Sequence, residues 1–282
     1  MAEDLKDYQS LAPAEKNLID HIFRFFVQAD VEISDCYMQK YMRIFKPTEI
    51  KMMLAAFSNM EAVHIAAYSH LLDTLGIPES EYAAFLEYQE MRDKHDWFQS
   101  FDPSNAYEVA KTLAAVSGFG EGLMLFGSFA ILLNLPRNNL MKGMGQIVTW
   151  SIRDETMHCE GIMKIFHQWL AEHPQIDRVE LKKDIYQIAI DAVAIEHRFI
   201  DLAFEAGDVR GMTKQDIKDY ILYMANIRLQ QLGFKPYFEV STRNPLPWID
   251  AILGAPEHAN FFEARATEYS KAATKGSWDD AF

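Results

Sequence analysis

The chain has 282 residues, 49% apolar and 13% aromatic, enough for a substantial core in one large domain or two ordinary ones. A formal net charge of −14 excludes a broad electrostatic hold on nucleic-acid phosphates, which needs a basic face, so no nucleic-acid partner is expected. Two cysteines, Cys36 and Cys159, are too few to staple a fold of this size and suit a reducing cytoplasm.

The N-terminal MAEDLKDYQSL is polar and acidic and lacks the basic start and apolar run of a secretory signal. Beyond it, apolar residues recur at three- and four-residue steps over most of the chain, and strand-like alternation is hard to find, so an all-α fold is predicted. Pro47, Pro78, Pro103, Pro136, Pro174 and the Gly207/Gly211 pair fall between the periodic segments. They divide the chain into helices at about 13–43, 48–75, 79–99, 105–134, 140–172, 178–206 and 213–232. The most apolar stretch, Leu123 to Leu135, is interrupted by Gly127, Ser128 and Asn134 and falls short of the ~18 residues of a membrane span. It reads as a buried helix, and no membrane partner is expected. After Gly233, Lys235-Pro236 and Asn244-Pro245-Leu246-Pro247-Trp248 cannot continue a helix and predict an irregular excursion. Residues 264–282 are small, polar and poor in aliphatics, which predicts a mobile tail after a single domain spanning residues 1–263.

Carboxylates stand where apolar residues are expected. Glu61 is the one acid in Met52 to Leu72, a stretch without Lys or Arg, and on a helix it shares a face with His64 and Tyr68. Glu121 is the one charged residue between Thr112 and Pro136. Glu155 and His158 repeat the Glu-x-x-His spacing on a face with Val148, Ile152, Cys159 and Ile162, beside Arg153 and Asp154. In the first helix Asp30 falls at helical spacing from Phe23, Phe26 and Ile33, whereas Glu32 and Asp35 sit nearer Gln28 and Gln39. Burying a carboxylate among such neighbours is costly unless a cation compensates it.

Together these make two Glu-x-x-His pairs and two single acids on four helices, the ligand pattern of ferritin-like di-iron and di-manganese bundles, with Asp30 where those proteins place a glutamate. Oxygen-rich ligands with imidazole suit two ions of iron or manganese rather than calcium; Fe/Fe is the pair expected, and the same ligands accept Mn/Fe or Mn/Mn. A lone Glu-x-x-His is common by chance, and His64 or His158 taken singly reads equally well as a hydrogen-bonded core histidine. By periodicity alone Tyr68 reads as an ordinary core tyrosine, and Cys36 and Cys159 as small buried residues.

The sequence resembles the small subunit of class I ribonucleotide reductase. The likeness runs from FRFFVQAD through NMEAVHIAAYSHLL, GEGLMLFGSFA and SIRDETMH to NIRLQQLGFKPYF, NPLPWI and the FFEARATEYSKA tail. It implies that Asp30, Glu61 and His64 hold one metal and Glu121, Glu155 and His158 the other. It also implies that the reduced metals react with O2 and that Tyr68 is then oxidised, with Leu125 and Phe129 among its protecting neighbours. By the same resemblance Asp154 links His64 to the electron-transfer route, and Tyr269 relays the radical to a large subunit on which the C-terminal tail docks. A homodimer acting in the cytoplasm is implied as well. Family members carry a further N-terminal stretch with a tryptophan on the transfer route. Here the first tryptophan is Trp97, which leaves the route between Tyr68 and Tyr269 unassigned. The competing readings are a di-metal oxidase on the same scaffold and a metal-storage protein; neither accounts for the tail.

Overall fold

A computed structural model describes residues 2–78 and 87–254; the tail of residues 264–282, with Tyr269 and the boundary expected at residue 263, lies outside them. The described elements are α1 (Ala2–Ser10), α2 (Pro13–Asp35), a π-helical stretch π1 (Cys36–Tyr41), α3 (Met42–Ile44), α4 (Thr48–Leu75), α5 (Gln89–Gln99), α6 (Ala106–Thr112), a second π-helical stretch π2 (Leu113–Met124), α7 (Leu125–Arg137), α8 (Lys142–Glu172), α9 (Arg178–Ala203), α10 (Lys214–Gln231) and α11 (Pro247–Gly254). No strand occurs among the described residues beyond one isolated bridge, Val209 to Met212, and the architecture is the all-α, ferritin-like bundle expected.

Local chemistry explains most boundaries. Gly76 ends α4 in the left-handed conformation, φ 72°, which glycine adopts without a Cβ penalty. Asn105 Oδ1 accepts from the Tyr107 and Glu108 amides at the start of α6, and Asp177 Oδ1 does the same for Val179 and Glu180 at the start of α9.

Three boundaries differ from the sequence expectation. The acidic N-terminus is helical, and its acids act at a distance. Asp4 accepts from the Gly143 and Met144 amides at 3.0 and 2.9 Å, and Asp7 from Met141 N at 2.8 Å. α8 has no side-chain cap of its own, and its preceding residue Met141 sits at φ 48°, so α1 supplies the carboxylates that satisfy its free amides. The helix expected to stop at 134 runs through Pro136 to Arg137. Pro247, expected in an irregular excursion, opens α11, a position where its missing N–H costs nothing. Of the expected helix at 79–99, residues 79–86 lie outside the described residues.

α2 packs on α4, π2 on α8, and α4 also meets α8, while α9 and α10 cover π2 from behind. Residues Ala106–Arg137 are long and apolar enough by composition to cross a membrane, yet their apolar window is wholly buried inside the fold. The π2 segment is tight. A Cβ on Gly120 would collide with the Phe98 ring and one on Gly122 with Arg228, so glycines on both sides of Glu121 let α5 and α10 approach it. Arg228 Nε donates to Gly122 O at 2.7 Å.

One ion pair is sealed in the core. Lys94 Nζ on α5 lies 2.6 Å from Glu196 Oε2 on α9 and 3.7 Å from the ring centres of both Phe25 and Phe199. Burial lowers the Lys94 pKa and raises that of Glu196, each opposed by the partner's charge.

Candidate metal centre

Helical periodicity turns four acids and two histidines from four different segments toward one point. Asp30 comes from α2, Glu61 and His64 from α4, Glu121 from π2, and Glu155 and His158 from α8. All six are buried. Their ligand atoms form two overlapping groups, Asp30–Glu61–His64–Glu155 and Glu61–Glu121–Glu155–His158, each with its atoms within 4.8 Å of one another. Each group can hold one ion, and because Glu61 and Glu155 belong to both, they are placed to bridge. The π-helical turn matters here, since such insertions shift register locally and gather at functional sites.

The electrostatics are set by four carboxylates crowding two imidazoles. His64 Nδ1 lies 3.2 Å from Glu61 Oε2 and 3.4 Å from Glu155 Oε1. His158 Nδ1 lies 3.0 Å from Glu61 Oε1 and 3.4 Å from both Glu121 Oε1 and Glu155 Oε2. Burial alone would lower the His64 pKa, but hydrogen bonds to Glu155 and Glu61 outweigh it and push it up to about 11. For His158 the same contest, with Glu121, Glu155 and Glu61, also ends in an upward shift. Burial raises Asp30 and Glu121, and Glu61 adds to both.

Asp30 Oδ2, Glu61 Oε1, Glu121 Oε2, Glu155 Oε2 and His158 Nδ1 are buried without an aligned hydrogen-bond partner. Such atoms are expensive to strand, and they converge here. Two divalent ions would balance the four carboxylates and take up those lone pairs, so the donor set fits a di-metal site.

The surroundings contain residues that sequence reasoning singled out and others that it missed. Asp154 Oδ2 lies 3.1 Å from His64 Nε2. Tyr68 is buried one turn beyond His64, and its hydroxyl donates to Ser151 Oγ at 3.0 Å. Phe26 stacks on the Tyr68 ring at 5.1 Å, and Phe129 stacks on Phe26 in turn. Ser151 and Phe26 carried no signal beyond helical spacing, because a serine and a phenylalanine on an inward face are ordinary core residues.

Tyr37, on π1, was also missed: it is buried, and its hydroxyl donates to Glu121 Oε1. Position 37 lies seven residues beyond Asp30, two helical turns on and on the same inward face, but a tyrosine there reads as an ordinary core residue until Glu121 is seen opposite it. Met60 Sδ lies 3.3 Å from His158 Nε2. Glu32, read from spacing as lying away from the core, is buried and pairs with His95, whereas Asp35 is exposed. Cys36 and Cys159 are buried free thiols.

Similarity to known proteins agrees with this geometry. A family model described as ribonucleotide reductase, small chain, matches residues 1–245. The chain is 39% identical over 318 residues to the probable ribonucleoside-diphosphate reductase small subunit 376L of Invertebrate iridescent virus 6, covering 99% of this chain and 88% of that protein. It is 26% identical to the ribonucleoside-diphosphate reductase subunit beta of Chlamydia pneumoniae, covering 99% and 84%. In fold it matches a putative class I ribonucleotide reductase from Bacillus halodurans with a TM-score of 0.82 at 24% identity, over 89% of this chain and 92% of that one. A dimanganese(II)-NrdF of Streptococcus sanguinis matches with a TM-score of 0.74 at 21% identity, over 89% and 88%.

Proposed function

The chain belongs to the family of ribonucleotide reductase small chains, the di-metal subunits of the class I enzyme, and from that premise we propose that Asp30, Glu61, His64, Glu121, Glu155 and His158 hold its two metal ions and that Tyr68 is the residue oxidised beside them. The observation that carries the reading is the convergence of four buried carboxylates and two imidazoles, several with lone pairs unused, beside a buried tyrosine. When bound, the reduced metal pair supplies the oxidising power gained from O2, with Fe/Fe the reading preferred and Mn/Fe or Mn/Mn served by the same ligands.

The chain's own residues do the rest. Asp154 fixes the orientation of His64 through its Nε2–H, which leaves Nδ1 facing the carboxylates. Ser151 holds the Tyr68 hydroxyl, giving the phenolic proton a defined partner when the ring loses an electron. Phe26 stacks on the Tyr68 ring and Phe129 on Phe26; these rings, with the buried Leu125 as a further candidate, keep water and reductants from an oxidised ring. Residues 264–282 form the segment that docks on a large subunit, with Tyr269 as the relay across that interface. Ordering a tail on docking costs entropy, so binding is reversible.

A homodimer in the cytoplasm is part of the same reading. Six large apolar side chains are exposed on α2, π1, α4 and α8, namely Val31, Met38, Met52, Val63, Trp150 and Met157, apolar surface that a second copy would cover.

The test is electron paramagnetic resonance of metal-free protein loaded anaerobically with Fe(II), Mn(II) or both and then exposed to O2, alongside Tyr68→Phe. A tyrosyl signal lost in the variant is expected. Metal uptake without any radical under all three loadings would favour storage instead.

A further inference from the structure

The two groups of ligands are alike in kind, each with three carboxylates and one imidazole. What stands behind those ligands differs. His64 Nε2 faces the Asp154 carboxylate at 3.1 Å, whereas His158 Nε2 faces the thioether of Met60 at 3.3 Å. With Nδ1 turned to the carboxylates, each Nε2 carries the proton. A carboxylate acceptor for that N–H raises the basicity of the imidazole and fixes its plane, whereas a thioether is a weak acceptor and does little of either.

The second group carries a further contact: Glu121 Oε1 accepts from the Tyr37 hydroxyl, and each single acid keeps one oxygen, Asp30 Oδ2 or Glu121 Oε2, without a partner. Donation from Tyr37 draws charge from the Glu121 carboxylate and occupies one of its oxygens. It also stabilises the bare carboxylate before any ion arrives, so an incoming ion must compete with it. Tyr37 is held in place by a buried aromatic setting, with Phe57 and Tyr41 each 5.9 Å away between ring centres.

We infer that the two ion positions are unequal: divalent ions of the Mn(II) and Fe(II) class fill the Asp30–His64 position first, and Tyr37 and Met60 hold the Glu121–His158 position to weaker, later filling. The inference rests on the six side chains being the metal ligands. Tyr37 and Met60 are positioning residues, acting through Glu121 and His158. Ordered filling is also what allows a chain to assemble a mixed pair from two ions supplied in turn.

The experiment is anaerobic titration of the metal-free full chain with Mn(II), followed by isothermal calorimetry and by the paramagnetic signal of the free ion, with no turnover needed. Two steps separated by about tenfold or more in affinity are expected. Tyr37→Phe removes one hydroxyl, and Met60→Gln offers a carbonyl acceptor at similar volume. Each should tighten the second step severalfold and leave the first unchanged, and Asp154→Asn should weaken the first by about tenfold. The sign separates this role from packing, since a residue that acts only by filling space weakens binding when replaced. Two ions bound with equal affinity, or a second step unchanged or weakened in both variants, would overturn the inference while leaving the ligand assignment intact. Uptake of no ion would overturn both.

Discussion

Two clusters of buried charge share one core, joined through Phe25 and Phe26, and they solve the same problem differently. Lys94 and Glu196 form a closed pair: one ammonium, one carboxylate, 2.6 Å apart, between two phenyl rings. The other cluster sets four carboxylates, Asp30, Glu61, Glu121 and Glu155, against two imidazoles, with no lysine or arginine in either ligand group. A closed pair spends its electrostatics on the fold. An open cluster leaves an excess of negative charge that bound protons or added cations must offset, which suits the second to taking up ions and the first to holding the fold.

The largest expected effect comes from opening the closed pair. Lys94→Met strands Glu196 and should cost about 3–5 kcal/mol in denaturant unfolding, whereas Lys94→Met combined with Glu196→Leu should recover most of that. A double variant as unstable as the single one would mean that packing, not charge, is what Lys94 contributes.

Closing the open cluster should do the reverse. Glu121→Gln removes one uncompensated charge, so the metal-free protein should gain about 1–3 kcal/mol while the bound metal falls from two ions to one by elemental analysis. A loss of stability in the metal-free state would contradict the account of the cluster as strained without ions.

The pH dependence sharpens the same contrast. In the metal-free fold His64 titrates near 11 against an ordinary 6.5. The folded state therefore holds a proton that the unfolded chain releases. The stability this contributes is complete below about pH 6.5 and is lost as pH rises towards 11. The upward shifts of Asp30 and Glu121 favour the protonated fold in the same sense. Urea melts of metal-free protein should thus shift to lower midpoints from pH 6.5 to 9. Metal-loaded protein should show a flatter profile, because ions displace those protons, and saturation at a hundred times Kd should add ~2.7 kcal/mol.

The smallest effect concerns thiols. Burial pushes both Cys36 and Cys159 up to about 12, so neither should be alkylated by iodoacetamide at pH 8 until the chain unfolds; rapid labelling of the folded protein would show that the core opens there.

The helices and the six ligand candidates were legible in the sequence because periodicity reports which face is inward, and a charged residue on an inward face stands out against leucine and alanine. Glu121, alone among apolar neighbours, is the clearest case. The partners of those ligands were not legible. Ser151, Phe26, Met60 and Tyr37 are ordinary residues for a core, and their importance comes from what lies opposite them on another helix. Glu32 was misread for a related reason: spacing along α2 places it away from Asp30, but α5 packs on that side and brings His95 to it.

The sequence by itself determined that this protein is an all-helical member of a di-metal family with one inward ring of acids and histidines, since a 3.6-residue repeat and the cost of burying charge act on each helix separately. Only the tertiary structure decided which carboxylates belong to both ligand groups, that Asp4 and Asp7 cap a helix some 140 residues away, and that Asp154 backs one histidine while Met60 backs the other. Those contacts depend on how helices cross and where π turns shift the register, and no repeat along a single chain segment encodes them.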